Sequence, residues 1–157
     1  MIAVVQRVSE ARVVVDARTV GEIGPGLLVL AAVEKDDTPA DIEWTANKLV
    51  GLRIFRNGDK HLDLDVKQTG GSVLLVSNFT VAGETRRGRR PSLDGAASPA
   101  KGRELFDLLV NAVKQLGVPV ATGEFGADMK VSLTNDGPIT FLVRSREPVA
   151  AVTPSPS

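Results

Sequence analysis

The sequence predicts an α+β fold, a mostly antiparallel, barrel-like sheet with two helices packed on it. Three observations lead there. Short β-branched runs divided by tight turns fill the first 33 residues. Two stretches with apolar residues at helical spacing follow, each opened by Thr-Pro or Ser-Pro and closed by glycine. Two more β-branched runs flank Asn135-Asp136-Gly137-Pro138 near the end. Strands and helices grouped in this way are the α+β pattern.

Ile2 to Val8 and Val13 to Val15 read as strands divided by Ser9-Glu10-Ala11-Arg12. Asp16-Ala17-Arg18 is a turn, and Thr19 to Ile23 a further strand, broken by Gly24-Pro25-Gly26. Leu27 to Val33 is almost wholly apolar, as in a buried central strand. Their close spacing suggests an antiparallel meander. Thr38 is placed as N-cap and Pro39 as first residue of a helix. Ile42, Ala46, Leu49 and Val50 form its apolar stripe, with Trp44 at the edge and Gly51 as the stop. Arg53-Ile54-Phe55 is a brief strand before a polar turn at Gly58. Asp63 to Gln68 has no clear period, and Gly70-Gly71 is a turn. Ser72 to Val76 is a second strongly apolar strand.

Ala82 to Ala97 is a long aperiodic loop, a kind of segment that often carries function. Ser98-Pro99 opens the second helix, with Leu105, Leu108, Leu109, Ala112, Val113 and Leu116 on one face and Gly117 as the stop. Val118 to Thr122 is a strand and Gly123 to Asp128 a turn region; Met129 to Leu133 and Thr140 to Val143 are the closing strands. Residues 1–146 read as a single domain. Residues 147–157 are rich in Pro, Ser and Ala and are expected to form a disordered tail.

Composition removes several chemistries. The absence of cysteine excludes disulfides, thiol catalysis and cysteine zinc sites. The single histidine, His61, lies in a polar turn, and no G-x-S-x-G motif accompanies it, so a Ser-His-Asp triad has no support. The carboxylates of Gly123 to Met129 lack metal-ligand spacing, and neither metal nor cofactor is predicted. With 19 basic and 19 acidic residues the net charge is zero, which does not favour wholesale nucleic-acid binding. No apolar run approaches the ~20 residues that span a bilayer. The amino-terminal residues lack the features of a signal peptide, so a cytoplasmic location is expected.

Four features remain as candidates for chemistry. Ser77-Asn78-Phe79-Thr80 ends a buried strand; it fits a strand running out into loop, or a pocket lip whose hydroxyls and N–H groups orient a substrate. Arg86, Arg87, Arg89 and Arg90 crowd around Gly88; they fit a solvated loop, or a phosphate-contacting one, because Arg pairs with phosphate through two hydrogen bonds. Asn135-Asp136-Gly137-Pro138 is a stiff turn by local rules. It fits a plain hairpin, or a fixed display of backbone carbonyls. Arg7 ends the first strand, where arginine commonly reaches solvent.

Together these motifs closely resemble the D-aminoacyl-tRNA deacylases of the bacterial and eukaryotic type, over residues 1 to about 145. The resemblance rests on Gln6-Arg7-Val8, Gly24 to Asp37, Gly70 to Val73, Ser77 to Thr80, Gly88 to Ser92, Phe125 to Met129 and Val131 to Thr140, in that order. It implies that family's fold and a homodimer, with active sites at the subunit interface, that hydrolyses the ester of D-aminoacyl-tRNA. It also implies action on glycine mischarged onto tRNA(Ala), a proofreading step in translation. By the same match a cis Gly137-Pro138 turn enters the partner's site and excludes L side chains, and Arg7 holds that turn. Ser77, Phe79 and Thr80 would be the catalytic-pocket residues, with Asn78 and Met129 contributing to substrate binding and chiral selection. The arginine loop would contact the tRNA backbone.

One departure stands out: Asn78 occupies the place of the family's usual Gln. Thr80 is the obvious side-chain nucleophile candidate, with no base in view to activate it. Water attack aided by backbone N–H groups and the substrate's ribose 2′-hydroxyl is the preferred mechanism, the last part implied by the resemblance. Two alternatives stay open, a related deacylase that tolerates L-residues and a catalytically silent tRNA-binding module.

Overall fold

The computed structural model describes residues 1–147. The proposed tail, apart from Glu147, lies outside the described residues. Strand β1 spans Ile2–Val15, followed by β2 (Arg18–Ile23), β3 (Gly26–Ala32), helix α1 (Pro39–Gly51), β4 (Phe55–Asn57), β5 (Lys60–Leu64) and β6 (Ser72–Ser77). A 3-10 turn at Phe79–Ala82 leads to α2 (Pro99–Gln115), β7 (Val120–Thr122) and β8 (Lys130–Arg144).

The first three strands do not form a meander. β1 is one continuous strand at the centre, with the order β2-β1-β3-β6-β7 and β8 along β1's other edge. Its first half pairs with β3 and its second with β2, both antiparallel, because a two-residue turn at Asp16 and Ala17, both at positive φ, sends the chain straight back. The sequence looked interrupted at Ser9-Glu10 because the register with β8 shifts there, which places both residues at the surface.

Two pairings are parallel, β3 with β6 and β6 with β7. Parallel neighbours require a crossover, and α1 and α2 lie in those crossovers. Both crossovers step in the same direction along the sheet, which carries both helices to one face. Side chains alternate accordingly. Ala3, Val5, Leu27, Val29, Val73 and Leu75 pack against Ile42, Leu49, Leu105 and Leu109 of the helices. Val13, Leu28, Leu74 and Val76 fill the opposite face, inside the curl of the sheet. Leu108, placed by its spacing on the apolar face of α2, is exposed instead. The curl nearly closes into a barrel where β2 meets β7. There a Cβ on Gly21 would lie 2.1 Å from the Thr122 carbonyl oxygen, so only glycine permits the approach.

The helix starts follow the sequence reading. Thr38 opens α1, its N–H and hydroxyl both donating to the Asp41 carboxylate. Ser98 opens α2, its Oγ accepting from the Lys101 N–H at 3.3 Å. Arg53-Ile54-Phe55 is not a strand; the brief strand begins at Phe55, and it forms a hairpin with β5, which contains His61.

Candidate active site

The Ser77 end of β6 opens into a cavity of about 660 Å³. Four chain segments build it. β3, β6 and the turn after it supply Leu30, Ala31 and Val76 through Phe79; the long loop supplies Leu93, Ala96 and Ala97; the start of α2 presents Ser98, Gly102 and Phe106; and Phe125, Gly126, Ala127 and Met129 close the far side. The walls are apolar, and the polar side chains lining them are Ser77, Asn78 and Ser98. Among the described residues, no acid, base or thiol lines the cavity. Phe125 packs against Phe106 with ring centroids 6.2 Å apart, and the absent side chain of Gly102 leaves room for its edge.

The 3-10 turn sets the lip of this cavity. The Asn78 N–H donates to the Ala31 carbonyl at 2.9 Å, fixing the exit from β6. Phe79 and Thr80 open the turn, where N–H groups have no partner within the helix. The Phe79 ring is 59% exposed. The Thr80 hydroxyl donates to Asn78 Oδ1 at 2.6 Å. The chain thus brings Ser77, Asn78, Phe79 and Met129 to one cavity, with Thr80 beside its lip.

Arg7, Gly137 and Pro138 lie elsewhere. Asn135 to Thr140 is not a hairpin. Both arms of β8 pair antiparallel with β1, Thr140 opposite Gln6 and Asn135 opposite Val8, and the residues between bulge out across from Arg7. A hairpin would need the arms to pair with each other. Ser77 lies on the Ala31 rung of the sheet, which meets β1 at Ala3. The bulge thus lies four residues along and three strands across the sheet from Ser77 of the same chain, and none of its residues lines the cavity.

The bulge is held from inside and outside. Asn135 Oδ1 accepts from the Ile139 N–H at 2.7 Å, and Asn135 Nδ2 donates to Thr140 Oγ1 at 2.9 Å. Arg7 is 3% exposed, not at solvent. Its Nε donates to the Asp136 carbonyl at 2.8 Å and its Nη1 to the Ile54 carbonyl at 2.9 Å. Burial lowers the Arg7 pKa, as does the nearby charge of Arg56, while Asp136 raises it. Gly137 has φ +148°, and a Cβ there would fall 2.7 Å from Ile139 Cγ1. The Gly137–Pro138 peptide is cis.

None of the four loop arginines lines the cavity. Antiparallel bridging of Glu84 with Ser92 closes the base of their loop, and Gly88 turns its tip at φ +67°. All four arginines are exposed.

Comparison with known proteins decides the family. The profile of the D-Tyr-tRNA(Tyr) deacylase family matches residues 4–144. This chain belongs to that family. A D-aminoacyl-tRNA deacylase from Geobacter sulfurreducens is 53% identical to it, over 93% of this chain and 96% of the relative. Another from Thermotoga petrophila is 52% identical, over 92% and 97%. Among solved structures, the c-Myc DNA unwinding element binding protein superposes with a TM-score of 0.90 at 31% identity, covering 94% of this chain and all of that one. A probable eukaryotic D-amino acid tRNA deacylase has a TM-score of 0.76 at 16% identity, over 90% and 97%, and shares the fold. Membership in the deacylase family bears out the resemblance read from the motifs, and the deacylase fold bears out the α+β reading. Within this deacylase, the ion pair between Arg56 Nη1 and Asp136 Oδ2, 3.2 Å apart, escaped the sequence reading; the Asn-Asp pair ahead of Gly-Pro was the available signal.

Proposed function

We propose that this chain hydrolyses D-aminoacyl-tRNA, and glycine mischarged onto tRNA(Ala), in a cytoplasmic homodimer whose subunits complete each other's cavities. The observation that carries this reading is that a firmly held turn and a cavity coexist in one chain, and that no residue of the turn lines the cavity. A second copy supplies the missing wall. Leu133, Phe141 and Leu142 lie exposed on β8, the strand that carries the turn, and offer apolar surface for that pairing.

In this reading the 3′ end of the tRNA enters the cavity over Ser77, Asn78 and Phe79, with Thr80 at the lip and Met129 within. The arginine loop meets backbone phosphates farther along. Gly137 and Pro138 of the partner set carbonyls where an L side chain would project, so an L-residue meets steric and polar conflict while a D-residue does not. The cavity's lack of a base suits an ester, which needs less activation than an amide. Water adds to the acyl carbon and the bond to the ribose 3′-oxygen breaks, that oxygen taking up a proton. Backbone N–H groups at the 3-10 turn stabilise the oxyanion, and the 2′-hydroxyl of the substrate assists.

The test is hydrolysis of matched D-tyrosyl-, L-tyrosyl- and glycyl-tRNA, with light scattering for the oligomeric state. Cleavage of the D-ester and glycyl ester by a dimer is the expected result. Equal cleavage of both hands identifies an L-tolerant relative, and tRNA binding without cleavage a silent module. Leu142→Glu, placed on the exposed β8 surface, is expected to weaken dimer and selectivity together.

A further inference from the structure

Asn135 sets the shape of the Gly137–Pro138 bulge, but its contacts stay within residues 135–140 and cannot set where the bulge points. Its aim must come from outside. We propose that Arg56, acting through Asp136, is a second positioning residue for this turn and thereby a determinant of D-over-L selectivity; this rests on the role given to the turn above.

The Asp136 carboxylate lies between two guanidinium groups. Arg56 Nη1 is 3.3 and 3.2 Å from its two oxygens, and Arg7 Nε is 3.6 Å from Oδ2. Arg7 is buried and grips the backbone of the same residue, so it fixes one point of the turn. One point leaves a pivot. Arg56 approaches from β4, a separate element, and adds the second point.

The β4–β5 hairpin is built to hold that position. It forms its own two-stranded sheet and lines no part of the cavity. Asn57 Nδ2 donates to Asp63 Oδ2 at 2.8 Å across it, and the Arg53 guanidinium grips the carbonyl and carboxylate of Asp63. The carbonyls of Ile54 and His61, either side of Arg56, also receive Nη1 of Arg7. The hairpin therefore reaches the turn by two routes, through Arg7 and through Arg56. Asp136 is also the group that offsets repulsion between these two cations. An exposed ion pair adds little to global stability, so the pair's effect falls on the aim of the turn and not on folding.

The test compares single-turnover hydrolysis of D- and L-tyrosyl-tRNA by wild type, Arg56→Ala, Arg56→Lys and Asp136→Asn. Arg56→Ala is expected to lower the D-to-L rate ratio about two- to fivefold, the factor an exposed ion pair of ordinary strength supplies. Asp136→Asn should lower it at least as far, because Arg7 and Arg56 then repel without an intervening carboxylate, the double variant should fall no lower than Asp136→Asn, and Arg56→Lys should keep most of the ratio. High salt should lower the ratio in wild type and not in Arg56→Ala. A wild-type ratio in Arg56→Ala overturns the proposal. So does an equal fall in Arg56→Ala and Arg56→Lys with a lowered melting temperature, which would mark a folding effect. Wild type that cleaves both hands alike sinks the role of the turn itself, and this proposal with it; a selective wild type whose D-to-L ratio is unchanged in Arg56→Ala sinks this proposal alone.

Discussion

The Thr80 hydroxyl donates its proton to the side-chain oxygen of Asn78 at 2.6 Å. An amide oxygen accepts a hydrogen bond but does not remove a proton at neutral pH, so this contact orients Thr80 without activating it. Thr80→Ala is accordingly expected to keep D-aminoacyl-tRNA hydrolysis within about tenfold of wild type, below the 10²–10⁴ typical of a lost proton-transfer group. Single-turnover rates at saturating enzyme check this. Complete loss with unchanged tRNA binding would make Thr80 the nucleophile.

Gly137→Ala tests the turn directly. The added Cβ would lie 2.8 Å from the Ile139 nitrogen and 3.3 Å from the Arg7 guanidinium, at a φ of +148° that L-residues rarely adopt. Relief requires the bulge to move, at a cost of about 1–3 kcal/mol. The expected outcome is a raised rate on L-aminoacyl-tRNA beside a modest fall in melting temperature. Unchanged selectivity would remove the turn from chiral discrimination.

The arginine loop makes a prediction in salt. Replacing Arg86, Arg87, Arg89 and Arg90 by Gln is expected to weaken tRNA binding and to flatten the plot of log affinity against log salt. The slope should fall by about 0.7–0.9 for each phosphate that is no longer neutralised. Filter binding between low and physiological salt measures it. An unaltered slope would make the loop a solvated surface only.

Acid stability should depend on Asp41. The Arg146 guanidinium hydrogen-bonds its carboxyl and, with the N–H and hydroxyl of Thr38, holds its pKa well below the usual carboxylate range. A carboxylate depressed on folding stabilises above its unfolded pKa of about 3.9, and that stability is lost as pH falls toward the folded value. The stability gap between wild type and Asp41→Asn should therefore be full near neutrality and shrink below about pH 4. Urea titrations across that range decide it; a constant gap would contradict the assignment.

Local signals were legible in the sequence and long-range pairing was not. Thr38, Pro39, Ser98 and Gly117 marked helix ends because a cap is settled within a turn of its own residue. Asn135 to Thr140 carried every mark of a hairpin, yet hairpin and bulge differ only in whether the arms pair with each other or with a third strand. That strand is over 120 residues away in sequence. The burial of Arg7 was equally hidden, since the Ile54 and Asp136 carbonyls that hold it leave no side-chain signature. The cavity was half legible. Ser77 to Phe79 and Phe125 to Met129 each stood out as motifs, but their meeting depends on parallel crossovers that composition does not disclose.

β1 meets β3, β2 and β8, and the last of these pairings joins Ile2 to Arg144. Loop closure over such a span costs entropy before any pairing offsets it, so strands this far apart in the chain join late and slowly. The cavity draws on residues 30–131, which include Val131 of β8, and the turn lies within β8 where it pairs with β1. The turn and one wall of the cavity therefore depend on the same long-range pairing of β8 with β1.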